Sequence, residues 1–244
     1  MAITPCRPKW RGTMTDRERF NRQMHYQPVD RSFNMEFGYW DENFTEWDIF
    51  VQNGVRNNGE ADRFFNFDRI GGVGGNIWIY PAFESKVLED RGSEQLVVDG
   101  NGLIKVVPKD GHSTIPHYIG STIKTPEDWY RVKDVRFNRH DPARKVNVEA
   151  IKKAHPPARD YPLGVHCGSM IGRIRDMLTF EGVTYAIYDY PEMLEDMVET
   201  ACVLVEDFLD QVLGEIDFDY ASGWEDICFN HGPIVSLDFF EKVV

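Results

Sequence analysis

Between residues 161 and 224 the chain sets two short β-favouring runs around a long stretch of helical periodicity, and that order limits the folds open to it. Residues 161–167 read YPLGVHC and residues 216–224 read IDFDYASGW. Between them Leu194, Met197, Val198, Ala201, Leu204, Val205, Phe208, Leu209 and Val212 recur at i, i+3, i+4 spacing and predict a helix over 191–213. Glu195, Glu199, Glu206 and Asp210 lie on its other side and read as a solvated face. A further helix, carrying Arg173 and Arg175, is predicted directly after 161–167. Two strands separated by helices cannot form a hairpin. They imply parallel pairing through a right-handed crossover.

The rest of the chain supports the same class. Thr15 and Glu18 form a T-x-x-E capping box that predicts a helix over 16–25, stopped by Pro28. RSFNMEFG at 31–38 predicts a strand with Phe33 and Phe37 on one face. Phe44, Trp47 and Phe50 predict a helix over 44–53 that ends at Gly54. The apolar run 77–80 predicts a buried strand closed by Pro81. Before it, Gly71, Gly72, Gly74 and Gly75 lack both the Lys-Ser/Thr of a phosphate loop and the dinucleotide spacing, and they precede a strand instead of following one. Residues 85–108 alternate apolar and polar around Asp99-Gly100-Asn101-Gly102, a hairpin signal. Thr125-Pro126 opens a helix, 136–158 reads as a surface connection or short polar helix, 230–233 as a loop, and Ser236 caps a last helix from Leu237. Strands alternating with helices predict an α/β fold with a parallel sheet, whose carboxyl strand ends bind ligands. Tyr39 and Trp40 follow the first predicted strand, His166 the third, and Glu225 and Asp226 the fourth.

Composition narrows the function. With 42% hydrophobic and 13% aromatic residues in 244, the chain can fill a core and is not disordered; one large or two small domains are open to it. Its 27 basic against 40 acidic residues give a net charge of −13, which argues against nucleic acid as a partner. No apolar run is long enough for a membrane span, and the N-terminus lacks a signal-like apolar region, so a cytoplasmic protein is expected. Cys6, Cys167, Cys202 and Cys228 form no CxxC pair, and reduced thiols are the expectation.

T-D-R-E-R-F at 15–20, P-V-D-R at 28–31, M-E-F-G-Y-W at 35–40 and W-E-D-I-C-F-N-H-G-P-I-V-S at 224–236 resemble the uroporphyrinogen decarboxylase superfamily. The likeness is strongest to its broad uroporphyrinogen decarboxylase-like branch and covers nearly the whole chain. The superfamily includes the haem-pathway decarboxylase and the methylcobalamin:coenzyme M methyltransferases, all on a (β/α)8 TIM barrel. Residues before the first predicted strand, together with 81–160, leave room for about four β/α units at roughly 30 residues each. The expectation is therefore an incomplete barrel in one domain spanning 1–244, with a hairpin insertion at about 85–108, forming the N-terminal part of a longer protein.

The resemblance also carries chemistry. The decarboxylase protonates a pyrrole carbon, releases CO2 and holds the acidic arms of its substrate with arginines, its first strand ending in R-Q-A-G-R. Here the matching stretch is M-E-F-G-Y-W-D-E, where Glu36 would repel an acidic substrate. Asn76 takes the place of the aspartate that receives the pyrrole N–H groups, and Asp176 falls near its tyrosine. The methyltransferases use a zinc thiolate of the H-x-C…C kind, which by the family pattern would follow Val244. Within the chain, adjacent His166-Cys167 and the three-apart Cys228 and His231 do not complete such a set. The resulting expectation is corrinoid-dependent methyl transfer in the complete protein, with zinc and a corrinoid serving it and no cofactor held within this chain. Porphyrinogen decarboxylation is the alternative, and a non-catalytic module binding a tetrapyrrole or corrinoid protein is a third reading. Glu36, His166, Glu225 and Asp226 are the candidate catalytic residues. Tyr39, Trp40, Asn76, Arg173, Arg175, Asp176, Asn230 and His231 are the candidate substrate contacts. Partners expected are a tetrapyrrole or methylated small molecule, a corrinoid protein and a second copy of the chain, with no membrane. For each residue the competing role is structural: a strand-end cluster, an exposed turn, a surface helix or a hydrogen-bonded core histidine.

Overall fold

The computed structural model describes residues 3–10, 12–110 and 116–244. The chain divides into two compact units, one of Met1–Val73, Ala150–Val165 and Asp217–Ala221, the other of Gly74–Glu149, His166–Ile216 and Ser222–Val244.

Helix α1 (Asp16–Met24) starts as predicted, with the Thr15 side chain accepting from the Glu18 N–H at 3.0 Å. The strand expected at 31–38 is absent. The amides of Phe33, Asn34, Phe37 and Tyr39 donate instead to side-chain oxygens of Gln23, Asp68, Glu36 and Asn58, so no row of amides is left for a neighbouring strand. Phe33 is buried while Phe37 is 96% exposed, so the two share no face. The helix expected at 44–53 is two short ones, α2 (Asp41–Glu46) and α3 (Asp48–Val51), split where Trp47 turns extended and its ring stacks on Phe50. Phe44 and Phe50 still pack into a small core with Val55, Ala61 and Phe64, the last two from α4 (Asn58–Phe65).

The second predicted strand is displaced. It forms at the glycines as β1 (Gly71–Val73), and 77–80 has no strand structure. A Cβ on Gly71 would stand 2.9 Å from the Tyr161 ring, so glycine permits the close pairing there. Along 76–80 the Arg144 guanidinium takes the carbonyls of Asn76 and Trp78, and Tyr80 N donates to the Arg136 carbonyl. Ile77 and Ile79 are buried as expected, but by a loop whose polar atoms bond elsewhere.

The hairpin is larger than predicted. Strands β2 (Lys86–Asp90), β3 (Glu94–Val98), β4 (Leu103–Pro108) and β5 (His117–Ser121) make an antiparallel sheet in that order, and β5 was not anticipated. Asp99 Oδ1 accepts from the amides of Asn101 and Leu103, and Gly102 has φ +83°, which builds the predicted turn. Helix α5 (Pro126–Arg136) carries the predicted Thr125 cap and buries Trp129, whose Nε1 donates to Asp196. Helix α6 (Val148–Ala154) is the short polar helix.

Strand β6 (Leu163–Gly168) pairs in parallel with β1. Helix α7 (Ile171–Asp189) follows, interrupted at Thr179, whose hydroxyl accepts from the Gly182 N–H. Helix α8 (Pro191–Val212) matches its prediction within a residue and buries Leu194, Met197 and Val212. Strand β7 (Tyr220–Gly223) completes the sheet in the order β1-β6-β7. Asp219 N bonds to the Leu163 carbonyl and Trp224 N to the Gly168 carbonyl, so the pairing advances in the same direction along both strands and is parallel. A two-stranded hairpin, β8 (Cys228–Phe229) and β9 (Gly232–Pro233), and helix α9 (Leu237–Val243) with its Ser236 cap end the chain. Among the described residues the fold is mixed α/β, with three parallel strands and separate antiparallel sheets, and the strands do not close into a barrel. Among the described residues no helix is long and apolar enough to cross a membrane.

Candidate functional site

A cavity of about 480 Å³ lies in the second unit, and its walls are chain segments that end or follow the parallel strands. Gly74, Gly75 and Ile77 come after β1, His166 and Gly168 close β6, Ser222 and Gly223 close β7, and Trp224 follows it. Arg173 reaches it from the first turn of α7. These are carboxyl strand ends, where a parallel sheet leaves backbone groups unpaired and binds ligands, and the volume suits a small molecule.

The glycines set the shape of the walls. A Cβ on Gly75 would collide with the Phe208 ring at 2.4 Å, and one on Gly223 would stand 3.2 Å from the Gly168 carbonyl oxygen.

Inside, His166 is exposed and its Nδ1 lies 2.8 Å from Ser222 Oγ on the neighbouring strand. Sequence reasoning missed Ser222. The available signal was its position two residues before Trp224 in a predicted strand, on the same face as Tyr220. Arg173 is half-buried, and burial pushes its guanidinium below the ordinary arginine value against the pull of Asp176. The guanidinium lies 5.3 Å from the centre of the Trp78 ring and has no ion pair or side-chain hydrogen bond with any described residue. Trp78 Nε1 is likewise buried without an acceptor among the described residues.

The other candidates have defined partners. Glu225 accepts from Ser169 Oγ, Met170 N and Gly172 N, so its carboxylate caps the start of α7 and offsets the positive end of that helix. Asp226 forms a 2.5 Å ion pair with Arg175, which also lies 3.6 Å from Asp176. Burial pushes the Asp176 carboxyl above its usual range despite Arg175 and Arg173. Asn76 lines a different cavity of about 260 Å³ with Arg139, Asp207 and Gln211, and its carbonyl is held by Arg144. Asn230 and His231 form the β8–β9 turn, the His231 ring packing against Phe229.

Glu36, Tyr39 and Trp40 belong to the first unit. With the strand at 31–38 missing, they are not strand-end residues. Glu36 accepts from the amide of Phe37 and lines a depression with Met35, Asp62 and Arg63. Tyr39 packs edge-on against Phe44, Phe50 and Trp47; burial, with the charges of Glu36 and Asp62, raises its phenol pKa. Trp40 is exposed ahead of α2.

No three His, Cys, Asp or Glu side chains stand close enough together to hold a metal ion among the described residues. His166 bonds to Ser222, and Cys167 and Cys228 are free thiols. These residues do not fit a zinc thiolate. Comparisons with protein-family models, with curated proteins and with solved structures find no match to this chain.

Proposed function

We propose that this chain is part of an enzyme of the uroporphyrinogen decarboxylase-like kind, turning over a small molecule in the strand-end cavity. Methyl transfer involving a corrinoid partner is the favoured reaction of the complete protein. The observation that supports an enzymatic reading is the meeting of three strand ends around His166 and Arg173 in one cavity. His166 brings an imidazole to the wall of that cavity. Trp224 supplies an apolar wall, and the glycine walls let a ligand approach the backbone. Glu225 and Asp226 hold this arrangement through α7 and Arg175.

Arg173 favours one second reading, decarboxylation of a porphyrinogen, because a cation in the cavity suits an acidic substrate. A substrate with eight carboxylates needs several such cations, and Arg173 is the one cationic side chain lining this cavity among the described residues. The reactions separate in one assay series. Purified protein is mixed with methylcobalamin and a thiol while the corrinoid absorbance is followed, and separately with uroporphyrinogen while CO2 is collected. Thiol-dependent demethylation supports methyl transfer. CO2 release with no demethylation replaces it by decarboxylation. Saturable binding of either compound without turnover replaces both by a binding module.

A further inference from the structure

Two arginines beside these cavities are buried in opposite ways. Arg144 is buried and its fork is fully engaged: Nε donates to the Asn138 carbonyl, Nη1 to Asn76 and Trp78, and Nη2 to Arg136. That is an arginine used as a staple. Arg173 is half-buried in the wall of the strand-end cavity and donates its guanidinium to no described residue. None of its nitrogens is sealed from solvent, so an anion entering the cavity can reach them.

Nearby acids do not fill that role. Asp226 is engaged by Arg175, and Glu225 is engaged by Ser169 and the amides of Met170 and Gly172. Asp176 attracts Arg173 through space but makes its ion pair with Arg175, and burial favours its neutral form.

We propose that Arg173 is the anchor of an anion subsite in the strand-end cavity, taking the single terminal carboxylate, sulfonate or phosphate of a small molecule whose body lies against Ile77 and Trp224. The subsite rests on the ligand-binding reading of that cavity and narrows its substrate class. A planar, forked guanidinium matches two oxygens of such a group at once. A polyanion is disfavoured. Arg173 is one cation, its surroundings hold Asp176, Glu225 and Asp226, and the chain carries a net charge of −13.

The test is equilibrium binding to the full chain. Acetate, methanesulfonate and inorganic phosphate are titrated separately by calorimetry, with the Arg173 Nε–H resonance followed by NMR in the same series. At least one anion should bind in a saturable way and move that resonance. Arg173→Met should weaken binding at least tenfold, and Arg173→Lys, which keeps charge but loses the fork, should fall between. The anion that binds most tightly names the terminal group. Absence of saturable binding by all three, or binding by Arg173→Met at wild-type strength, overturns the subsite. Should Arg173→Met fail to fold, the wild-type resonance decides: unmoved by every anion, it refutes the proposal. Anion binding without any turnover of methylcobalamin or uroporphyrinogen would leave the subsite standing and remove the enzymatic reading. Turnover unaffected in Arg173→Met would do the reverse.

Discussion

In the first unit Asp219, 3% exposed at its side chain, accepts from Arg17 Nε at 2.7 Å, Asn21 Nδ2 at 2.8 Å, Arg159 Nη2 at 2.6 Å and the Leu163 amide at 2.9 Å. Asp68 takes both arms of Arg31 at 2.6 Å and the Asn34 amide at 2.9 Å. Beside the cavity of the second unit, among the described residues, Arg173 has no such partner and His166 has Ser222 alone. Charges that close on one another hold segments together, because each removes the desolvation cost of the other. A half-buried charge left open in a cavity adds little to the stability of the free protein, and its use lies in what it binds. Arg159 tests that rule. Its Nε and Nη1 also lack acceptors among the described residues, but the side chain is 1% exposed and lines none of the cavities above, so no ligand can reach it.

The sharpest way to break this contrast is Asp219→Ala. It leaves the buried Arg159 without its carboxylate and strips one partner from Arg17, which should cost about 3–5 kcal/mol. Urea unfolding followed by circular dichroism measures it. A loss below about 1 kcal/mol would mean that the first unit's network is no more cohesive than a surface ion pair.

The same network fixes an acid limit. Burial pushes the carboxyls of Asp219 and Asp68 up, but it is outweighed: by Asn21, Arg17, the Leu163 amide and Arg159 for the first, and by Arg31, the Asn34 amide and Arg19 for the second. Both therefore titrate below the ordinary carboxylate range. The folded form holds fewer protons than the unfolded chain, so this stabilisation is complete above about pH 4 and is lost as pH falls through the depressed folded values. Stability measured from pH 7 to pH 2 should drop on that limb, and Asp219→Asn should flatten it. An acid limb identical in the variant would show that other groups set it.

Arginine replacements sharpen the comparison from within the second unit. Arg144→Met strips the donor from four carbonyls and should cost about 1–3 kcal/mol. Arg173→Met removes a half-buried charge that no described residue pairs and should change stability by under about 0.5 kcal/mol or raise it. Thermal unfolding of the two variants gives the ordering. A larger loss for Arg173 than for Arg144 would make Arg173 structural and undo the distinction.

What could be read from the sequence follows the range of the forces involved. Helix α8 and the caps at Thr15, Thr125 and Ser236 were legible because periodicity and capping are local, and so was the turn at Asp99–Gly102. The runs 31–38 and 77–80 have the composition of strands, yet side chains far away in sequence, Asp68 and Arg144, take the hydrogen bonds that a ladder would have used. Gly71–Val73 has no strand signal at all. Its pairing depends on the Tyr161 ring lying where a Cβ would otherwise stand, which only the tertiary structure shows. Of the site, His166, Arg173 and the strand-end placement were legible. Glu225 and Asp226 were legible as strand-end carboxylates, but not as the cap of α7 and the partner of Arg175.

Ser222 provides the finest test. Its hydroxyl and His166 Nδ1 are 2.8 Å apart across two strands, and a hydroxyl that donates to Nδ1 leaves the proton on Nε2. Ser222→Ala removes one exposed hydrogen bond, so the stability loss should stay below about 1 kcal/mol. Its effect on the imidazole should be larger than its effect on the fold. Nitrogen NMR of the His166 ring in the neutral form should show Nδ1 as an acceptor in the wild type and a mixture of tautomers in the variant. A ring spectrum that does not respond to loss of the hydroxyl would show that the strand partner does not orient His166. The open character of the cavity would then extend from Arg173 to its histidine as well.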